Sequence, residues 1–207
     1  MDGVLTKHPS SWSFVHRHFG VNNSTNYSLY RSGRISYSTF MEEDVRLWLS
    51  KQNPISQREM LLLMEEIPLM DNLYQGLQVL RENGYVISIV SGGLSWLSDR
   101  ISKHFSFDRV FNNSISVDRD GNIMPGGIIG VIPEKKNLAI RKMQEEMGIR
   151  EENTISVGDS DFDVSMFDAS GFRIAFNPRS QGLVSAADLI LYSEDFNDLV
   201  HWILKSH

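Results

Sequence analysis

The chain has no cysteine. That excludes disulfides, thiolate metal sites and a cysteine nucleophile, and it fits a reducing, cytoplasmic setting. It is short of positive charge, with 20 Lys and Arg against 26 Asp and Glu and a net charge of −6. A dedicated nucleic-acid binder would carry a basic surface instead. No apolar run approaches the length that crosses a bilayer. The opening MDGVLTKHP has no basic segment followed by an apolar stretch, so no secretory signal is expected. Internal repeats and low-complexity tracts are also missing. What is present is ordinary globular material: 207 residues, 41% hydrophobic and 22% charged. This suits one domain with a modest insert and rules out wholesale disorder.

The two parts of the chain have different rhythms. Over residues 9–70 the pattern is helical. Ser10 caps a run through Trp12, Phe14, Val15 and Phe19 that ends at Gly20. Ser36 caps a second run carrying Phe40, Val45 and Trp48 that closes at Pro54. Ser56 opens a third over 58–66, which Pro68 ends. The polar stretch 22–32 has no assigned state. Met60, Met64, Trp48 and Phe40 are expected in the core.

From residue 71, helices and strands alternate, which predicts an α/β fold with a parallel sheet. Helices are expected over 73–82, 94–104, 134–147, 163–169 and 196–205. Strands are expected over 85–90 (stopped by Ser91-Gly92-Gly93), 154–157, 173–176 and 189–192, with a hairpin within 109–124. Asp118, Asp120 and Asn122 read as its turn rather than as a calcium loop. His16 and His18 fall on different helix faces and do not read as metal ligands.

Ligands of open parallel sheets bind beyond the carboxyl ends of the strands. Asp2, Ser91, Asp159 and Asp163 can therefore converge on one site, with Lys136 at a helix start facing it. Carboxylates favour a hard cation such as Mg²⁺. A Ser hydroxyl with following backbone amides suits phosphate oxygens, which a lysine also neutralises. Taken singly, each of these residues has a plain structural reading as a turn, helix-entry or solvated residue.

Their order is far more specific. Met1-Asp2-Gly3-Val4-Leu5-Thr6, Ile89-Val90-Ser91-Gly92-Gly93, Lys136 (or its neighbour Lys135) and Gly158-Asp159-Ser160-Asp161-Phe162-Asp163 follow the four motifs of the haloacid dehalogenase superfamily. Within it the chain resembles the phosphoserine-phosphatase-like branch. The resemblance implies a Rossmann-like core, residues 1–8 and 71–207, with a helical cap, residues 9–70, inserted after the first motif. It implies Asp2 as catalytic acid/base, with its carbonyl on Mg²⁺. Ser91 and the Gly92 amide would hold the phosphoryl group. Lys136 would balance charge, Asp159 would be a metal ligand, and Asp163 would bind metal through water or orient Lys136. The expected function is Mg²⁺-dependent hydrolysis of a small phosphorylated metabolite through an aspartyl-phosphate. The alternatives are a non-catalytic phospho-ligand binding protein and, more weakly, a phosphotransferase. Neither nucleic acid nor membrane is expected as a partner; a homodimer is compatible.

The chain departs from the pattern in three places. The nucleophilic Asp of the first motif would stand two residues before Asp2, with a mid-sheet strand ahead of it, and neither is in the sequence. The expectation is a start placed at an internal Met of a longer natural chain, the alternative being a shortened, inactive protein. Pro9 and Asp44 occupy the places of the acidic residue and the cap Arg that hold phosphoserine, leaving Arg31 or Arg46 as substitutes. Phe162 replaces a polar residue.

Overall fold

The computed structural model describes residues 1–206, so His207, the last residue of the expected core segment, lies outside the described residues. Four helices come first: α1 (Ser11–His18), α2 (Ser24–Arg31), α3 (Tyr37–Leu49) and α4 (Gln57–Glu65). The Ser10, Ser36 and Ser56 side chains accept from Ser13 N, Thr39 N and Glu59 N, satisfying amides at the starts of α1, α3 and α4. At Ser56 the Glu59 carboxylate reaches back to the Ser56 amide, completing a capping box. The polar 22–32 stretch, unassigned from sequence, contains α2. Thr6 and Leu69 form a bridge, so the chain leaves and returns at one point.

The rest alternates: α5 (Leu73–Glu82), β1 (Ser88–Leu94), α6 (Ser95–Ser102), β2 (Arg109–Val117), β3 (Ile123–Ile129), α7 (Lys136–Met147), β4 (Ile155–Gly158), α8 (Val164–Phe167), β5 (Phe172–Phe176), α9 (Gln181–Ala186), β6 (Leu189–Leu191) and α10 (Phe196–Ser206). Three expectations change. Phe40, expected in the core, is only half-buried and stacks on Tyr30 of α2. The first strand begins at Ser88, not residue 85, and runs through Ser91-Gly92-Gly93 to Leu94, with an irregular register between Val90 and Leu94. A bulge lets the glycines stay within the strand. The expected helix over 163–169 shortens to a single turn, preceded by a 3₁₀ turn at Asp161–Asp163.

The strands form two three-stranded sheets, β1-β2-β3 and β4-β5-β6. β1 and β2 are parallel, β2 and β3 antiparallel, and β4, β5 and β6 all parallel. One large apolar cluster runs from the early helices (Val15, Met41, Val45, Trp48, Met60, Met64) into the core elements (Leu77, Ile89, Leu97, Ile101, Phe176, Leu199). A smaller cluster joins Ile140, Met166, Phe167 and Leu183. No helix among the described residues is long and apolar enough to cross a membrane.

Leu97 is fully buried on α6. Leu97→Ala is expected to cost about 2–5 kcal/mol by chemical denaturation, the range for truncating a buried leucine.

Candidate active site

β1 and β4 both end at one polar pocket. It is a cavity of about 450 Å³ lined by Asp2, Ser91, Gly92, Lys136, Asp159 and Asp163, with residues of α1–α3 on its far wall. The five side chains singled out from sequence are therefore brought together.

Asp163 is the most heavily engaged of them. Its Oδ1 accepts from Lys136 Nζ at 2.5 Å, and its Oδ2 accepts from the Asp159 and Ser160 amides at 2.9 and 3.0 Å and from Ser160 Oγ at 3.1 Å. Burial pushes this carboxyl upward, but the Lys136 charge and hydrogen bond outweigh it and hold Asp163 at about 2. Asp159 goes the other way. Burial and the like charge of Asp163 push it up to about 7, against the pull of the Arg179 guanidinium. Arg179 Nε and Nη2 donate to Asp159 Oδ2 at 2.9 and 2.7 Å. Among the described residues no donor reaches Asp159 Oδ1.

Asp2 sits at the start of α1. Its Oδ1 accepts from Ser11 N at 2.8 Å and its Oδ2 from Ser11 Oγ at 3.2 Å. Burial raises Asp2 above the usual carboxylate range, and the Ser11 bonds oppose that rise. Ser11 Oγ also accepts from Leu94 N, tying α1 to the end of β1. Ser91 Oγ accepts from Gly93 N at 3.0 Å. Trp12 Nε1, Tyr37 Oη and Asn113 Nδ2 all reach the Gly92 carbonyl, at 3.1, 3.4 and 3.2 Å.

Two glycines are required by close approach. Gly3 has φ +68°, and a Cβ there would overlap Asp159 Oδ2. A Cβ on Gly93 would overlap Asp2 Oδ2 and come within 3.0 Å of Ser11 Oγ.

The far wall contains a buried polar cluster that sequence reasoning passed over. Trp48 Nε1 donates to His16 Nδ1 at 2.7 Å. That leaves His16 Nε2 as the protonated nitrogen facing Asp44 Oδ2 at 3.1 Å. Asn23 and Asn26 amides donate to the same carboxylate at 2.8 and 3.0 Å. The signal for His16 was a histidine on the apolar face of α1, four residues from Trp12. Arg31 lines the pocket, whereas Arg46 pairs with Glu42 and Glu43 away from it. Tyr30 donates to Glu134, and Arg31 lies 3.5 Å from the same side chain, so α2 touches the turn that leads into Lys136. Arg179 was also missed; its only sequence cue was its place just after the Asn177-Pro178 turn.

The donor set suits a hard divalent cation with few protein ligands. Among the described residues no group of three or more His, Cys, Asp or Glu could encage an ion. Mg²⁺ commonly takes one or two carboxylates and keeps water or phosphate oxygens in its other positions. Asp159, with a free Oδ1 and a like-charged neighbour, fits that use.

Comparison with known proteins agrees with this geometry. Phosphoserine phosphatase of Archaeoglobus fulgidus is 29% identical over 166 residues, covering 76% of this chain and 46% of the relative. The chain thus spans less than half the length of that protein. The phosphoserine phosphatase of Methanocaldococcus jannaschii is 27% identical over 173 residues, covering 83% and 79%. A solved phospho-aspartyl intermediate analogue of phosphoserine phosphatase superposes with a TM-score of 0.80 at 22% identity over 98% of this chain and 95% of that one, a likeness of fold. The profile of haloacid dehalogenase-like hydrolases matches residues 5–168. Most of the chain lies within that match, and the chain belongs to the haloacid dehalogenase-like hydrolase family.

Proposed function

We propose that this protein is a Mg²⁺-dependent phosphomonoesterase acting on a small phosphorylated metabolite in the cytoplasm. The observation that carries this reading is the convergence of Asp2, Ser91, Lys136, Asp159 and Asp163 on one pocket at the ends of β1 and β4. Ser91 and the Gly92 amide bind the phosphoryl oxygens. Lys136, held by Asp163, places a fixed positive charge beside them. Asp2 is the acid/base: burial raises its carboxyl above the usual carboxylate range, which favours the proton it gives to the leaving oxygen. Asp159 and the Asp2 carbonyl hold Mg²⁺, which neutralises phosphate charge when bound.

The substrate reading follows from the far wall. Asp44 is surrounded by His16, Asn23 and Asn26 donors and has little capacity left for a substrate ammonium. Arg31 is the cationic residue of the α1–α3 wall. A phosphomonoester with an acidic far end therefore fits better than phosphoserine. The helices α1–α4 act as the cap over it.

The direct test is phosphate release from a panel of small phosphomonoesters with Mg²⁺, using protein purified from its native source. Release is expected, and Asp159→Asn is expected to lower it by about 100-fold or more, the scale of losing a group that stabilises transition-state charge. Phosphate binding with no release at high protein concentration would instead establish a non-catalytic phospho-ligand protein.

Mg²⁺ and protons compete for Asp159. With its carboxyl near 7, affinity is full above that pH and falls as pH drops through it. Calorimetric titration with Mg²⁺ at pH 6 should give about tenfold weaker binding than at pH 8. The metal-free protein has the opposite sign. A raised carboxyl disfavours the folded state once ionised, so stability falls as pH rises from about 4 through 7. Asp159→Asn should flatten that part of a Tm-against-pH curve.

A further inference from the structure

Away from the phosphate end, the active-site pocket is walled by aromatic rings. Tyr27 and Tyr30 stand three residues apart on α2, and Tyr37 and Phe40 three apart on α3. That spacing puts each pair on one side of its helix, and both pairs line the pocket. Tyr30 and Phe40 stack across the two helices, with centroids 5.1 Å apart and planes 5° from parallel. Tyr37 packs obliquely against both, at 5.4 and 6.1 Å. A further ring comes from the core side. Phe162 stands in the 3₁₀ turn after β4, where the sequence departs from a polar residue, and it too lines the pocket. Arg31, at the end of α2, holds its guanidinium 5.8 Å from the centre of the Phe162 ring. These rings are not sealed away: Tyr30, Phe40 and Phe162 are half-buried and Tyr27 is exposed.

The polar groups of this wall are engaged with one another. The Tyr30 hydroxyl donates to Glu134, and the Tyr37 hydroxyl accepts from Asn113 and reaches the Gly92 carbonyl. His16, Asn23 and Asn26 converge on Asp44. A sugar or glycerol phosphate carries several hydroxyls, each needing a partner once it leaves water. Here those hydroxyls meet groups that are already bonded. A flat aromatic ring makes no such demand. Its faces and edges suit stacked and edge-to-face contact with neighbouring rings. Arg31 supplies a positive charge beside them. Its contact with Glu134 is long, 3.5 Å, and exposed, so turning toward an acidic group on a ligand costs little.

We propose that the pocket takes a phosphomonoester whose alcohol part is a flat aromatic ring bearing an acidic substituent. The ring packs on Phe162 and on the rings of α2 and α3, and the acidic group pairs with Arg31. The inference rests on the phosphomonoesterase reading for the phosphate end and adds the chemistry of the other end.

The test reads binding, not turnover, using phosphonates, which carry a C–P bond in place of the ester. Calorimetric titrations with Mg²⁺ present compare para-carboxybenzylphosphonate, its saturated analogue with a cyclohexane ring, unsubstituted benzylphosphonate and inorganic phosphate. The carboxybenzyl compound is expected to bind about three- to tenfold tighter than the saturated analogue, which has the same acid and similar bulk but no π-face. It is expected to bind about two- to fivefold tighter than benzylphosphonate, the scale of a half-exposed ion pair. Phe162→Leu keeps an apolar side chain without the ring and should lower the first ratio at least about twofold. Arg31→Met should bring the second ratio to about one. Equal binding of the aromatic and saturated compounds, with phosphate still bound, overturns the aromatic assignment and leaves the phosphomonoesterase reading standing. No binding of phosphate or of any phosphonate overturns both. An unchanged first ratio in Phe162→Leu, or an unchanged second ratio in Arg31→Met, overturns the contact assigned to that residue. The unsubstituted protein decides between the first two outcomes, so a variant that fails to fold does not blunt the test.

Discussion

Asp163 and Lys136 form a buried ion pair, and most of the site depends on it. A lysine ammonium and a carboxylate taken out of water separately would each be heavily penalised. Here each offsets the other, and the remaining carboxylate oxygen is used up by the amides of Asp159 and Ser160 and the Ser160 hydroxyl. The pair thereby fixes the turn after β4, and that turn sets where Asp159 points. With Asp163 firmly ionised, Asp159 is the carboxylate that carries the cost of crowding. One carboxylate is thus permanently charged and structural, while its neighbour is left poised for a cation.

The same division of labour recurs on the β1 side. Ser11 connects three elements by accepting from Leu94 and donating to Asp2 from the first turn of α1. Asn113, buried on β2, bonds both the Val131 amide and carbonyl and reaches Tyr37 and Gly92. These contacts lock the Ser91-Gly92-Gly93 turn to α1 and α3 as well as to its own sheet. Position is therefore enforced from both sides of the pocket. The contacts of Tyr30 and Arg31 with Glu134, by contrast, are solvent-exposed and weakly stabilising. A pocket with a rigid floor and a lightly tethered roof is the result.

Much of this was legible from sequence because it rests on local rules. Serine caps marked the starts of α1, α3 and α4. Glycine after α7 marked its end at Gly148, which adopts φ +65°. Ser91, Asp159 and Asp163 stood out at strand ends and their turns and Lys136 at a helix start, but the set with Asp2 was identifiable because its order matched the four motifs of the family it resembles. What was not legible depends on partners far away in the chain. The run of β1 through two glycines is decided by pairing with β2, not by propensity. Helix α2 is too polar to announce itself and is held by packing on α3. His16, Asp44 and Trp48 become one cluster only when α1 crosses α3, and Arg179 acquires meaning only beside Asp159.

The glycines at 3 and 93 carry a consequence for the history of the site. Each leaves the room that a pocket carboxylate from another part of the chain occupies: Gly3 for Asp159, and Gly93 for Asp2. Neither member of such a couple can be selected without the other. A lineage that acquires a side chain at Gly3 displaces Asp159, after which nothing preserves that aspartate against drift. Once it has drifted, recovery requires both residues to revert, and neither reversal alone restores the site, so descent through this pocket runs as a ratchet.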